Sequence, residues 1–186
     1  MHESNLYDIF PIALPPSDKD LENYVRLRLL GLKTNPEAFG STFERESQNT
    51  QDEWKARVDN KERFTIIAQI VSGDTEGEWI GTASILTPEL IRAHTGDATM
   101  SAYMVVGMWV HPDHKRRGIA KKLVECGMNW VRARTKGMPD EQRRITLEVH
   151  RHNENAKALY EGLGFVELKN EECEDPTRIA MFFVAK

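Results

Sequence analysis

A chain of 186 residues is the size of one domain and long enough to bury a sizeable core without staples. Hydrophobic content of 40% and charged content of 29% mark a globular protein, and a net charge of -4 argues against a general nucleic-acid binder, whose balance is basic. No apolar run reaches the length of a membrane span, and Met1 to Pro16 lacks the basic flank and apolar stretch of a signal peptide, so no membrane partner and a cytoplasmic location are expected.

In chain order, Asp8 to Leu14 reads as a short strand stopped by Pro15 and Pro16. Ser17 is placed to cap a helix, with Asp20 three residues on, and Leu21, Tyr24, Val25, Leu29 and Leu32 recur at helical spacing. Asn35-Pro36 ends or bends that helix, because the residue before proline avoids helical dihedrals. Glu37 to Thr50 is polar, with Phe39 and Phe43 as packing residues, and Asp52 to Val58 reads as another short helix. Phe64 to Val71 and Trp79 to Leu86 are strand-like and joined through Ser72-Gly73-Asp74, a turn signal that makes them a hairpin. Pro88 to Thr99 is a connection with a single helical turn. Ala102 to Val110 is too continuously apolar to be half-exposed and is expected as a central strand. Gly107 within it marks a bulge, a close backbone approach, or a glycine kept for packing.

Gly118 to Arg134 reads as a helix, with Ile119, Leu123, Cys126 or Gly127, and Trp130 on one face and Lys121, Lys122, Glu125 and Arg132 toward solvent. Thr135 to Arg143 is a loop and Ile145 to Val149 the next strand. Glu154 to Gly162 is a short helix ending at glycine, and Phe165 to Leu168 and Ile179 to Val184 are the closing strands. With no repeat or linker to split it, the stretch 1–186 is expected to form a single mixed α/β domain. Cys126 and Cys173 have neither disulfide nor metal-site spacing, and Cys126 reads as a small buried hydrophobe.

One loop carries chemistry. After the apolar strand comes His111-Pro112-Asp113-His114-Lys115-Arg116-Arg117-Gly118-Ile119-Ala120. Pro112 stops the strand, and Gly118 and Ala120 open the helix. A helix start leaves backbone N–H groups without internal partners, and its dipole favours an anion there. Small residues let a diphosphate come close to the backbone, while Lys115, Arg116, Arg117 and Lys121 supply positive charge. Alone, the basic run reads as a solvated turn; its place between a buried strand and an amphipathic helix favours phosphate instead. Neither the P-loop nor the dinucleotide glycine pattern is present.

Lys115-Arg116-Arg117-Gly118-Ile119-Ala120 resembles the Arg/Gln-x-x-Gly-x-Gly/Ala signature of the GNAT superfamily of N-acetyltransferases, with lysine at the first position. A second segment is similar to the same family: Leu147-Glu148-Val149, Asn153, Ala156, Leu159-Tyr160 and Gly162-Leu163-Gly164-Phe165. The resemblance implies a twisted, mostly antiparallel sheet flanked by helices, whose two central parallel strands splay apart, here Tyr103 to Val110 and Ile145 to Val149. It implies acetyl-CoA as donor and an amine as acceptor, of unknown identity, with transfer by direct attack, and a homodimer as a frequent assembly.

The same resemblance implies residue roles. Backbone near Trp109 and Val110 would bind pantetheine and stabilise an oxyanion, while the Trp109 side chain packs or shapes the pocket. Lys115, Arg116, Arg117, Gly118, Ile119, Ala120 and Lys121 would hold the diphosphate. Asn153 would bond the pantetheine arm, cap its helix, or do both. Tyr160 would donate a proton to the departing thiolate, or else serve as a core aromatic with a bonded hydroxyl. Some members place a glutamate on the central strand as base; Tyr103 to Val110 contains no acid, which leaves Glu148 or a water relay. His150 and His152 have no third ligand at useful spacing, so no metal is expected. The competing functions are a CoA-binding module without catalysis and a nucleic-acid binder using the basic loop.

Overall fold

The computed structural model describes residues 6–169, 173 and 175–185. Two compact units divide the chain: one takes the residues up to Ser84 and Gly107–Cys126, the other Ile85–Val106 and Gly127–Lys186. The division passes through three continuous elements, not through a linker.

The first unit begins with β1 (Tyr7–Pro11) and α1 (Asp18–Thr34). The short helix α2 (Phe43–Glu46), α3 (Gln51–Val58) and β2 (Arg63–Ile70) follow. Most of β3 (Trp79–Leu86), the second half of β4 (Tyr103–Val110) and the start of α5 (Ile119–Arg134) complete it. β1 runs antiparallel to β2, from Tyr7 opposite Ile70 to Pro11 opposite Ile66. α1 starts where the Ser17 side chain accepts the Asp20 N–H at 3.1 Å, as its sequence pattern predicts. It buries Leu21, Tyr24, Leu27, Arg28, Gly31 and Leu32, a stripe at helical spacing that packs in one cluster with Trp54, Val58, Ile67, Trp79 and Trp109. Each buried Leu or Val side chain there contributes roughly 1.5–3 kcal/mol. Gly31 sets how close the helix comes: a Cβ at that position would lie 3.1 Å from both Phe39 and Trp109.

The second unit holds the end of β3, α4 (Pro88–Thr95), the first half of β4, the rest of α5, β5 (Arg144–His150), α6 (Glu154–Gly162), β6 (Val166–Glu167) and β7 (Arg178–Val184). β7 lies between β5 and β6, antiparallel to both, with Arg144 opposite Val184 and Val166 opposite Phe182. β4 and β5 form the parallel pair, through Tyr103 with Ile145 and Met104 with Thr146. The Thr146 hydroxyl adds a bond to the Tyr103 carbonyl at 3.1 Å. Val105 and Val106 have no ladder partner on β5 among the described residues, while β5 stays paired to β7 as far as His150. The strands part there, as the family resemblance implies. The strand order is β1-β2-β3-β4-β5-β7-β6, a mixed α/β fold with a mostly antiparallel sheet.

Three local expectations are corrected. The first strand ends at Pro11 instead of Leu14, although the Ile12 N–H still reaches the Thr65 carbonyl at 2.9 Å. The connection after β3 is a helix of 8 residues: Thr87 accepts the Leu90 N–H at 3.3 Å, and Pro88 takes the first helical position, where no donor is needed. The loop before β5 ends in a tight 3-10 turn, Asp140–Arg143.

Candidate active site

The loop between β4 and α5 lies in the first unit. His111 extends β4 by donating its N–H to the Ile80 carbonyl at 2.7 Å, and Pro112–His114 form a single 3-10 turn. Lys115, Arg116, Arg117 and Gly118 are exposed, Ile119 is buried and Ala120 is half-buried. Arg116 has φ 64 and Gly118 φ 76, so two of three consecutive residues are left-handed, a backbone suited to gathering N–H groups around an anion. Lys122 donates to the Gly118 carbonyl at 3.1 Å, which starts the α5 ladder. Ahead of it, the amides of Arg116 to Lys121 have no acceptor among the described residues. A Cβ at Gly118 would meet nothing within 4 Å, so the space beside this residue is open.

The basic side chains differ in their freedom. Arg117 donates to the Tyr7 hydroxyl at 2.6 Å, and that hydroxyl also lies 3.1 Å from His114 Nδ1. Burial, then the charges of Arg117 and His111, hold His114 below the usual histidine range. Lys121 has Glu125 at 3.8 Å, an exposed pair of little weight.

On β4, the Trp109 side chain is core. It is 4% exposed, its indole N–H donates to Asn35 Oδ1 at 3.0 Å, and its ring joins the α1 cluster. The Trp109 side chain therefore packs in the core. Val110 is buried as well. Gly107 has φ 64, a left-handed residue inside a strand, as a bulge demands. The nearest atom to a Cβ built there is Arg28 Nη1, at 3.5 Å. Arg28 is a buried residue that the apolar stripe alone does not reveal; its position between Tyr24 and Gly31 at helical spacing is the signal that finds it.

In the second unit, β5 buries Ile145, Leu147 and Val149, and Glu148 on the opposite face is exposed. Glu148 lies 3.9 Å from Arg178. His150 meets the Thr177 hydroxyl at 3.2 Å and stacks on His152 at 5.3 Å; no group of three His, Cys, Asp or Glu side chains suited to a metal occurs among the described residues. Asn153 caps α6, its Oδ1 accepting the Ala156 N–H at 3.1 Å. Its amide nitrogen has no partner among the described residues. Tyr160 is buried and packs edge-on against Phe165 at 5.7 Å. Its hydroxyl has no hydrogen bond among the described residues, and burial pushes it up to about 12. Cys126 is half-buried instead of fully buried, and burial raises its thiol.

The sequence model of the acetyltransferase (GNAT) family matches residues 31–165. The chain belongs to this family. As a GNAT protein it is an acyltransferase whose donor is a CoA thioester. Among solved structures, a GNAT-family acetyltransferase from Streptococcus pneumoniae is similar over 97% of this chain and 99% of its own, with TM-score 0.66 and 20% identity. The ribosomal-protein-S18-alanine N-acetyltransferase from Escherichia coli is similar over 97% and 94%, with TM-score 0.59 and 17% identity. Arabidopsis thaliana NAA60, solved with a bisubstrate analogue, is similar over 96% and 98%, with TM-score 0.58 and 18% identity. At such identities the likeness establishes the fold alone. No curated protein matches the chain in sequence.

Proposed function

We propose that this GNAT protein transfers an acetyl group from acetyl-CoA to a primary amine by direct attack in a ternary complex. The observation that carries the proposal is the run of open amides from Arg116 to Lys121, beside exposed basic side chains and a glycine with free space before it. A helix start of this kind is suited to a diphosphate, through both its free donors and its dipole. Gly118, Ile119 and Ala120 would contribute main chain, and Lys115, Arg116 and Lys121 long-range charge. Arg117 is tied to Tyr7 and would shape the loop as much as contact phosphate.

Acetyl-CoA, when bound, supplies an activated thioester carbonyl. The main chain at Trp109 and Val110 would orient the pantetheine arm and offer N–H donors to the oxygen as charge develops on it, a contribution worth roughly 2.7–4 kcal/mol in comparable sites. The amide nitrogen of Asn153 would bond the same arm while its oxygen serves the cap. As the amine nitrogen bonds to the carbonyl carbon, the carbon–sulfur bond breaks, the nitrogen loses a proton, and the sulfur gains one. Tyr160 is the proposed donor to sulfur: it is held protonated, and its hydroxyl has no hydrogen-bond partner among the described residues. A lysine-like amine needs roughly 4 to 5 kcal/mol to deprotonate near neutral pH, so the proton on nitrogen must have a route out. Glu148, exposed and near Arg178, or water fills that role.

Isothermal titration with acetyl-CoA, followed by CoA-thiol release against a panel of amines, tests the proposal. Binding and amine-dependent release are expected. Binding without release on a broad panel would make the chain a CoA-binding module, and no binding would end the donor assignment.

A further inference from the structure

The buried stripe of α1 carries one charge that the scheme above does not use. Arg28 is 6% exposed, and its Nε and Nη2 donate to the two carboxylate oxygens of Glu46 at 2.8 and 2.7 Å. The Phe39 ring lies 4.4 Å from the guanidinium carbon. These contacts fix the planar fork in one orientation and leave Nη1 without a hydrogen-bond partner among the described residues. Nη1 faces β4 at Gly107, where the absent side chain leaves it uncovered.

The charges around Glu46 do not balance. Arg57 reaches the same carboxylate at 3.1 Å, and Arg57 Nε is buried with no partner among the described residues. Burial above all, with repulsion from Arg57 and Arg28, holds Arg63 below the usual arginine range. Within this group of four, three guanidiniums face one carboxylate. Arg28 is shut from water while Arg57 and Arg63 keep part of their surface exposed, and an excess of positive charge around one carboxylate favours a further anion.

We propose that Arg28 Nη1 is the recognition point for an anionic oxygen group, carboxylate or phosphate, carried by the acceptor amine. The inference rests on the amine acetylation proposed above. Gly107 precedes Trp109 by two residues on one strand, at most roughly 7 Å along the chain because Gly107 is left-handed and not extended. An acceptor with a few bonds between its amine and its anionic group, as in an amino carboxylate or an aminoalkyl phosphate, spans such a distance. Arginine suits the task because the fork that grips Glu46 still presents a donor in a fixed direction.

The test measures kcat/KM by thiol release from acetyl-CoA, using the full chain and matched acceptors: amino carboxylates against their amides, and aminoalkyl phosphates against the parent amino alcohols. The anionic member of at least one pair is expected to be better by roughly 10- to 100-fold, and which pair responds identifies the oxyanion. Arg28→Gln alone removes the two-point grip on Glu46 and leaves Arg57 as its partner, so it is measured beside a double variant with Glu46→Gln, in which both side chains are neutral amides. That double variant is expected to keep its acetyl-CoA affinity and to lose the anionic preference through KM. A purely structural Arg28 would instead lower all acceptors alike. Acetyl-CoA binding with no anionic amine acetylated, a wild-type preference for neutral or cationic acceptors, or an intact preference in the double variant each overturns the inference. The wild-type pairs alone can overturn it whether or not either variant folds. Absence of acetyl-CoA binding would instead strike the proposed function itself.

Discussion

The starts of α5 and α6 are both fed by a strand, and the molecule finishes them in opposite ways. At α6 the Asn153 side chain closes the helix, taking the Ala156 N–H at 3.1 Å. At α5 six successive amides, Arg116 to Lys121, are left open behind a left-handed arginine and a left-handed glycine. A cap is worth about 1 kcal/mol to a helix. The α5 end forgoes that gain and leaves its donors open, as an anion site requires. The contrast separates a helix end built for stability from one whose donors await a partner outside the chain.

The largest effect should come from filling the open end. Gly118→Glu is expected to weaken acetyl-CoA binding by roughly 1,000-fold in calorimetry, since a carboxylate would sit where the dipole and free amides invite phosphate. Gly118→Ala carries the same left-handed strain, about 1–2 kcal/mol, without the charge or bulk, and should lose far less. Equal losses in the two variants would erase the contrast between α5 and α6.

Next comes a carboxylate that the protein uses fully. Burial alone would raise Glu46, but the hydrogen bond and charge of Arg28, the charge of Arg57 and a bond from Ser41 outweigh it and bring it to about 2. The folded state therefore holds its proton less tightly than the unfolded chain does. The resulting stability is complete above pH 4.5 and is lost as pH falls toward 2. It amounts to about 3 kcal/mol, and Glu46→Gln should remove that pH dependence from the acid arm of denaturant melts.

Tyr160→Phe ranks third. A phenol at about 12 is a weaker acid than a thiol near 8.5, so full proton transfer is uphill by roughly 5 kcal/mol and the hydroxyl helps mainly as a hydrogen-bond donor. A rate loss of about tenfold with unchanged acetyl-CoA affinity is expected. Because its folded value lies above that of a free phenol, Tyr160 stays protonated as pH rises past 10, and kcat should show no alkaline fall there. A parental rate in Tyr160→Phe would return the residue to packing.

The smallest change is at the closed end. Asn153→Ala should cost about 1 kcal/mol of stability. Asn153→Asp keeps the cap but loses the amide donor, so any affinity it fails to restore belongs to the pantetheine arm.

What the sequence reveals of this site is what lies close together along it. The loop Lys115–Ala120 is legible because strand stop, glycine and basic run are consecutive. Asn153 and Tyr160 share one short helix. The Arg28–Glu46 pair depends on α1 and α2 folding back so that a buried arginine meets a carboxylate 18 residues on, and no local pattern announces it. Trp109 bonds Asn35 across 74 residues, which is why packing and pocket-shaping could not be separated beforehand. α4 is hidden for a different reason: Pro88 looks like a breaker, yet after a capping threonine it opens a helix.

The bond between Tyr7 and Arg117 joins positions 110 residues apart, so the donor loop takes its final form only when β1 has docked. Ligand grip and the seating of the first strand are then linked equilibria: whatever tightens one tightens the other. Saturation with acetyl-CoA should slow amide exchange along Tyr7–Pro11, far from the nucleotide in sequence, and Tyr7→Phe should uncouple the two.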